Sequence, residues 1–98
     1  MKIKKTESGN TLMVVLEGRL DTGTAPELEE DMKNSLDNIE ELYFDFEGLD
    51  YVSSAGLRVL LALQKTMNRQ GKMILRNVND NIMEVFEMTG FVDILTIE

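Results

Sequence analysis

The stretch Gly48–Lys65, GLDYVSSAGLRVLLALQK, passes from a turn-forming segment into an amphipathic helix, and the two adjacent serines mark the passage. On a 100° wheel over Ala55–Arg69, the residues Gly56, Val59, Leu60, Leu63 and Met67 form one stripe, which should face a sheet. Arg58, Lys65 and Arg69 share a polar face. The remaining flank mixes Leu57 and Leu61 with Gln64 and Asn68, so these two leucines either widen the core stripe or form a partner-binding strip. Either Ser53 or Ser54 can cap this helix, its hydroxyl accepting from an amide two or three residues on. Neither has Glu or Gln three residues later, so no capping box backs that role. The same helix start suits a phosphate, because its first amides are unpaired and its dipole is positive there. Gly56 removes a side chain from the first turn and allows close approach.

Outward from this stretch the chain reads β-β-α-β-α-β-α-β. KIKKTE and TLMVVLEG form two strands joined by a turn at Ser8, Gly9 and Asn10, the second apolar almost throughout, as for a strand covered on both faces. A loop and helix follow in RLDTGTAPELEEDMKNSLDNI. Thr24 and Glu27 stand at capping-box spacing, Pro26 lies in the first turn, and Ala25, Leu28, Met32, Leu36 and Ile39 recur at helical spacing. ELYFDF is a short strand ending at EGLD. After the central helix, Gly71 suits a left-handed C-cap, KMILR is a strand, and NDNIMEVFEMTG is a helix with Ile82, Val85 and Phe86 on one face and Gly90 past its end. DILTIE forms a short last strand or begins a further element. An opening hairpin followed by alternating strands and helices predicts an α/β fold, one domain over residues 1–98, with a mixed sheet under helix cover.

The bulk composition narrows the chemistry. With 98 residues, 43% hydrophobic and 29% charged, the chain suits a single soluble domain. Its apolar runs are far shorter than the roughly 18 residues of a membrane span, and no signal-peptide core follows the N-terminal lysines, so no membrane role is expected. The absence of cysteine excludes disulfides and thiolate metal sites and fits a cytoplasmic protein. A net charge of −8 argues against nucleic acid, and the absence of histidine removes the commonest general base and zinc ligand. No catalytic residue, metal site or cofactor is expected.

Three segments, VVLEGRLDTGTAPEL, LYFDFEGLDYVSSAGLRVLL and IMEVFEMTGF, together resemble the STAS family, specifically the bacterial anti-sigma factor antagonists. The resemblance covers nearly the whole chain, and DYVSSAGLRVLL is its most specific part. Aligned on Gly56 and Leu57, the family's phosphoacceptor falls on Ser54, with Ser53 the alternative, standing where many members carry aspartate. The resemblance implies a partner surface of Asp21, Thr22, Ser53, Ser54, Gly56, Leu57 and Leu61. Asp21 matches the family's aspartate after a Gly-x-Leu turn, and Asp45 the aspartate closing the central strand; from the residues alone, Asp21 either stabilises its own loop or contacts a partner, and Asp45 satisfies nearby backbone amides. It also implies a mechanism: unphosphorylated, the protein binds an anti-sigma factor that is a serine kinase and frees a sigma factor. A metal-dependent serine phosphatase reverses the modification. Alternatives are a non-phosphorylated scaffold in a signalling or transporter complex, and a small-molecule or nucleotide binder, the latter weakened by the absence of a P-loop.

Overall fold

The computed structural model describes residues 1–98. Strands β1 (Lys2–Ser8) and β2 (Thr11–Leu20) form the predicted hairpin, closed by Gly9, whose φ of 60° favours glycine. Then follow α1 (Ala25–Lys33), β3 (Glu41–Val52), α2 (Ser54–Gln70), β4 (Lys72–Arg76), α3 (Asp80–Thr89), a 3₁₀ turn at Phe91–Asp93 and the two-residue β5 (Thr96–Ile97). The mixed sheet has the order β1-β2-β3-β4-β5; the hairpin is antiparallel and every later pair is parallel. Right-handed crossovers that always step the same way along a sheet place their helices on one face. The packing agrees: alternate residues Leu12, Val14, Leu16, Leu42, Phe44 and Phe46 join Leu28, Leu60, Ile82 and Phe86 in one buried cluster. No helix is long and apolar enough to cross a membrane.

This one-sided cover corrects the reading of β2, since Met13 and Val15 are only half-buried on the reverse face. There Tyr43 carries the Arg76 guanidinium 4.4 Å from its ring centroid, and long charged side chains shield what helices do not. α1 also ends earlier than its apolar spacing predicts. Leu36 and Ile39 are buried, at 6% and 1% exposure, but in the turns after Lys33. Asn34 and Ser35 stop the helix; the Ser35 hydroxyl donates to the Asp31 carbonyl at 2.8 Å, and Asn38 adopts a left-handed φ of 66°. The Thr24–Glu27 capping box does not form: Thr24 is the N-cap but makes no side-chain cap bond.

β3 is twice the predicted strand. Opposite β2 it carries extra residues at two register shifts, between Val15/Glu17 and between Gly18/Arg19. These bulges break strict alternation, so the buried positions run Phe44, Phe46, Leu49, Val52, and the strand continues through the EGLD segment to the serines.

Gly71 is not a left-handed cap, its φ being 168°. What requires glycine there is crowding, because a Cβ would lie 1.8 Å from the Glu40 carbonyl oxygen, which accepts from the Lys72 amide at 2.9 Å. Gln70 next to it donates to the carbonyls of Leu36 and Ile39 at 2.8 and 2.6 Å, tying the end of α2 to the turn that enters β3. Gly71→Ala is therefore expected to cost about 3 kcal/mol or more in urea unfolding, since backbone rather than a flexible side chain must yield.

Candidate functional site

The paired serines lie where two parallel strands end side by side. Leu20 and Val52 are register partners at the ends of β2 and β3. The Ser53 amide donates to the Leu20 carbonyl at 2.9 Å, so the chain turns into α2 directly against the end of β2. Gly56, in the first turn of α2, sits on the same residue: a Cβ there would lie 2.7 Å from Leu20 Cγ and 3.0 Å from its carbonyl oxygen. The close approach expected of Gly56 is thus used by the protein's own β2.

The two serines have separate situations. Ser53 is the N-cap, extended at φ −90° and ψ 175°, and its Oγ accepts from the Gly56 amide at 3.2 Å. Its carbonyl accepts from the Leu57 amide at 2.9 Å. Ser54 is the first helical residue; it is exposed, and its hydroxyl makes no hydrogen bond within the chain. The amides of Ser54 and Ala55 keep no intrahelical partner.

Asp21 and Thr22 come to the same end of the sheet through the loop from β2 to α1. Asp21 Oδ1 accepts from the amides of Gly23 and Thr24 at 3.0 and 3.1 Å, and the Asp21 amide donates to Thr24 Oγ1 at 2.9 Å. Thr24 Oγ1 in turn donates to the Arg19 carbonyl at 2.7 Å. The Thr24 amide, with smaller help from the Thr24 hydroxyl, the Gly23 amide and the Arg19 guanidinium, holds the Asp21 carboxyl below its ordinary range despite some loss of solvation. Asp21 therefore shapes its own loop. Thr22 is exposed and, with Ala25, Pro26, Ala55 and Arg58, lines an open cleft of about 310 Å³ between α1 and α2. Another depression of about 340 Å³, lined by Lys5, Asn34, Ser35 and Asp37, shares no residue with this site.

The two leucines separate. Leu57 is 6% exposed and belongs to the core cluster, so it widens the apolar stripe and offers no free surface. Leu61 is half-buried. Asp45 stays in the fold's service: its Oδ1 accepts from the Glu47 amide and from Asn77 Nδ2, both at 2.9 Å.

Arg19 and Tyr51 border the serine loop and were not singled out from the sequence. Being register partners across β2 and β3, they bring the guanidinium 4.4 Å from the Tyr51 ring centroid. Arg19 Nε also lies 3.7 Å from Asp21 Oδ2, and Tyr51 is 41% exposed beside the loop. Only the bulged register creates this pairing, and a one-dimensional pattern carries no signal of it.

The fold is that of a known family. Residues 2–98 match the family model described as STAS domain, and the chain belongs to the STAS domain family. BtrV of Bordetella bronchiseptica, named as an anti-sigma factor antagonist, is 33% identical over 99 residues, covering 99% of this chain and 85% of that protein. The anti-sigma-B factor antagonist of Staphylococcus aureus is 31% identical over 97 residues, covering 97% of this chain and 90% of that protein. Among solved structures, the unphosphorylated anti-sigma factor antagonist SpoIIAA superposes with a TM-score of 0.77 at 17% identity, covering 99% of this chain and 87% of its own. The phosphorylated form of Bacillus SpoIIAA superposes with a TM-score of 0.77 at 18% identity, covering 99% of this chain and 91% of its own.

Two outcomes follow from the geometry. Gly56→Ala should cost about 1–3 kcal/mol in chemical unfolding, because the new methyl meets Leu20 at the junction of β2 and α2. Asp21, with its folded carboxyl depressed, adds stability that is present above its unfolded pKa of about 4 and is lost as pH falls through the folded value. The stability advantage of wild type over Asp21→Asn should accordingly shrink on acidification below about pH 4, read from denaturation midpoints.

Proposed function

We propose that this chain is an anti-sigma factor antagonist, a binding switch controlled by phosphorylation of Ser54. One observation carries the assignment to that residue: Ser53 spends its hydroxyl on the helix cap, while the Ser54 hydroxyl is exposed and unbonded. The names of the relatives supply the class of partner.

In the unphosphorylated state the end of the sheet offers Thr22, Ser53, Ser54, Tyr51 and Arg19 to an anti-sigma factor. Exposed tyrosine and arginine suit the anchoring part of such an interface. Occupied by the antagonist, the anti-sigma factor releases its sigma factor for transcription in the cytoplasm. That anti-sigma factor is also the serine kinase. Ser54 Oγ attacks the γ-phosphorus of ATP, the new O–P bond forms, the bond to the β,γ-bridging oxygen breaks, ADP leaves and the hydroxyl proton is released. ATP and magnesium belong to the kinase. A metal-dependent serine phosphatase directs water onto the same phosphorus and returns free phosphate and the serine hydroxyl.

The physics of the off state is local. A phosphate adds about −1.5 to −2 charges where a small neutral hydroxyl stood. In a close interface that charge must be desolvated, which weakens binding by about 3 kcal/mol, on the order of a hundredfold. The helix start tolerates it without refolding, because the amides of Ser54 and Ala55 point outward unpaired.

The test is an incubation of wild type and Ser54→Ala with ATP and the serine-kinase anti-sigma factors of the source organism, with the modified residue mapped by mass spectrometry. Wild type should gain one phosphate on Ser54 and lose affinity for the kinase about a hundredfold, while Ser54→Ala stays unmodified and bound. No modification of wild type by any of these kinases would sink the switch, and modification at Ser53 alone would move the acceptor.

A further inference from the structure

We propose that Arg58 is the internal counter-ion of a phosphate on Ser54, folding back along α2 to hold it. The inference rests on the phosphorylation reading above and adds what happens to the phosphate once it is there. Ser54 and Arg58 stand four residues apart within one unbroken helix, Ser54–Gln70, so their side chains project from the same face one turn apart. Both are exposed. The order matters too: an anion placed N-terminal to a cation at this spacing is the more favourable arrangement.

Arg58 is free to take the part. The chain's ion pairs engage Lys4, Lys5, Arg19, Lys72 and Arg76, and none engages Arg58. Arg19, the other guanidinium at this end of the sheet, is held by Asp21 at 3.7 Å and by the Tyr51 ring at 4.4 Å. Glu29 lines the same α1–α2 cleft as Arg58 yet makes no ion pair with it. The guanidinium has open cleft around it rather than packed side chains, so it can swing toward Ser54 without displacing core residues.

The unmodified helix is also electrostatically incomplete. α1 has Glu27 and α3 has Asp80 in the first turn, whereas α2 has no acid there and carries Arg58 one turn in. A cation near the positive end of a helix dipole is unfavourable. A phosphate on Ser54 supplies the missing anion and pairs the cation in one step. Held in this way, it is less available to a partner's cations. The modified face therefore loses a contact without acquiring an adhesive charge.

The experiment places phosphoserine at position 54 during translation with a phosphoserine-charged suppressor tRNA, so that it stands whether or not any kinase acts on the chain. The second ionisation of the phosphate is followed by 31P NMR across about pH 4.5 to 8, a range that brackets its ordinary value of about 6. The charged groups on the elements that meet at Ser54 are Arg19 and Asp21 at the end of β2, Asp50 on β3, Glu27 and Glu29 on α1 and Arg58 on α2. Wild type should titrate on the order of half a pH unit below Arg58→Gln, and Arg58→Lys should keep part of that difference. Arg69→Gln, which removes the same charge far along α2, should titrate with wild type. The proposal is overturned if Arg58→Gln titrates with wild type, or if Arg69→Gln raises the value as much as Arg58→Gln does.

Discussion

The carbonyl of Leu20 is the point on which the site depends. It receives the amide of Ser53 at 2.9 Å, and the first turn of α2 presses on it through Gly56. Since Leu20 is itself the register partner of Val52, the last residues of two central strands and the first residues of a helix are joined within a few ångströms. Parallel strands always deliver their following loops to one end of a sheet. Here that rule brings the loop of Asp21 and Thr22 beside Ser53 and Ser54, and the Leu20 contact fixes how closely. The Ser54 hydroxyl is thus positioned by strand ends, at the start of a helix anchored to them.

The sequence carried the elements well where one physical signal acts alone. The hairpin turn, the core stripe of α2, the KMILR strand and the Gly90 cap, with its φ of 82°, follow from periodicity and turn chemistry. It carried them poorly where signals compete. Leu36 and Ile39 keep the helical spacing of α1 because they must reach the same core, yet Asn34, Ser35 and Asn38 make a helix untenable between them. β3 looks short because its bulges change the alternation after Phe46; only a partner strand reveals that Leu49 and Val52 still point inward. Gly71 was legible as a glycine that matters and illegible as to why, since crowding by Glu40 is a contact across 31 residues of chain. The serine loop was visible from its residues, but the division of labour between Ser53 and Ser54 needed a hydrogen bond to Gly56.

One face of the sheet has all the helices, and the other satisfies itself. Tyr43 sits between Arg76 at 4.4 Å and Lys72 at 5.8 Å and donates its hydroxyl to Glu41 at 2.7 Å, while Ile74 is buried to 5% exposure outside the main core cluster. Cross-strand pairs of this kind are the unit of stabilisation on a sheet face. The unpaired hydroxyl of Ser54, the unpaired Arg58 and the exposed ring of Tyr51 lie instead at the ends of β2 and β3. On an acidic chain of net charge −8, Arg19 and Arg58 put two guanidinium groups at this end of the sheet.

That distribution makes a helix cap and the proposed switch compatible within four residues. A helix needs its first amides partnered, and Ser53 supplies this for Gly56 whatever happens next door. Were Ser54 the cap, modifying it would remove the cap bond and fray α2, so binding and stability would change together. Because the cap lies one residue earlier, the proposed phosphate on Ser54 would add charge to the helix start without taking a hydrogen bond away. Under the proposed switch, modification would then act on binding alone, because the cap bond that holds the start of α2 stays in place.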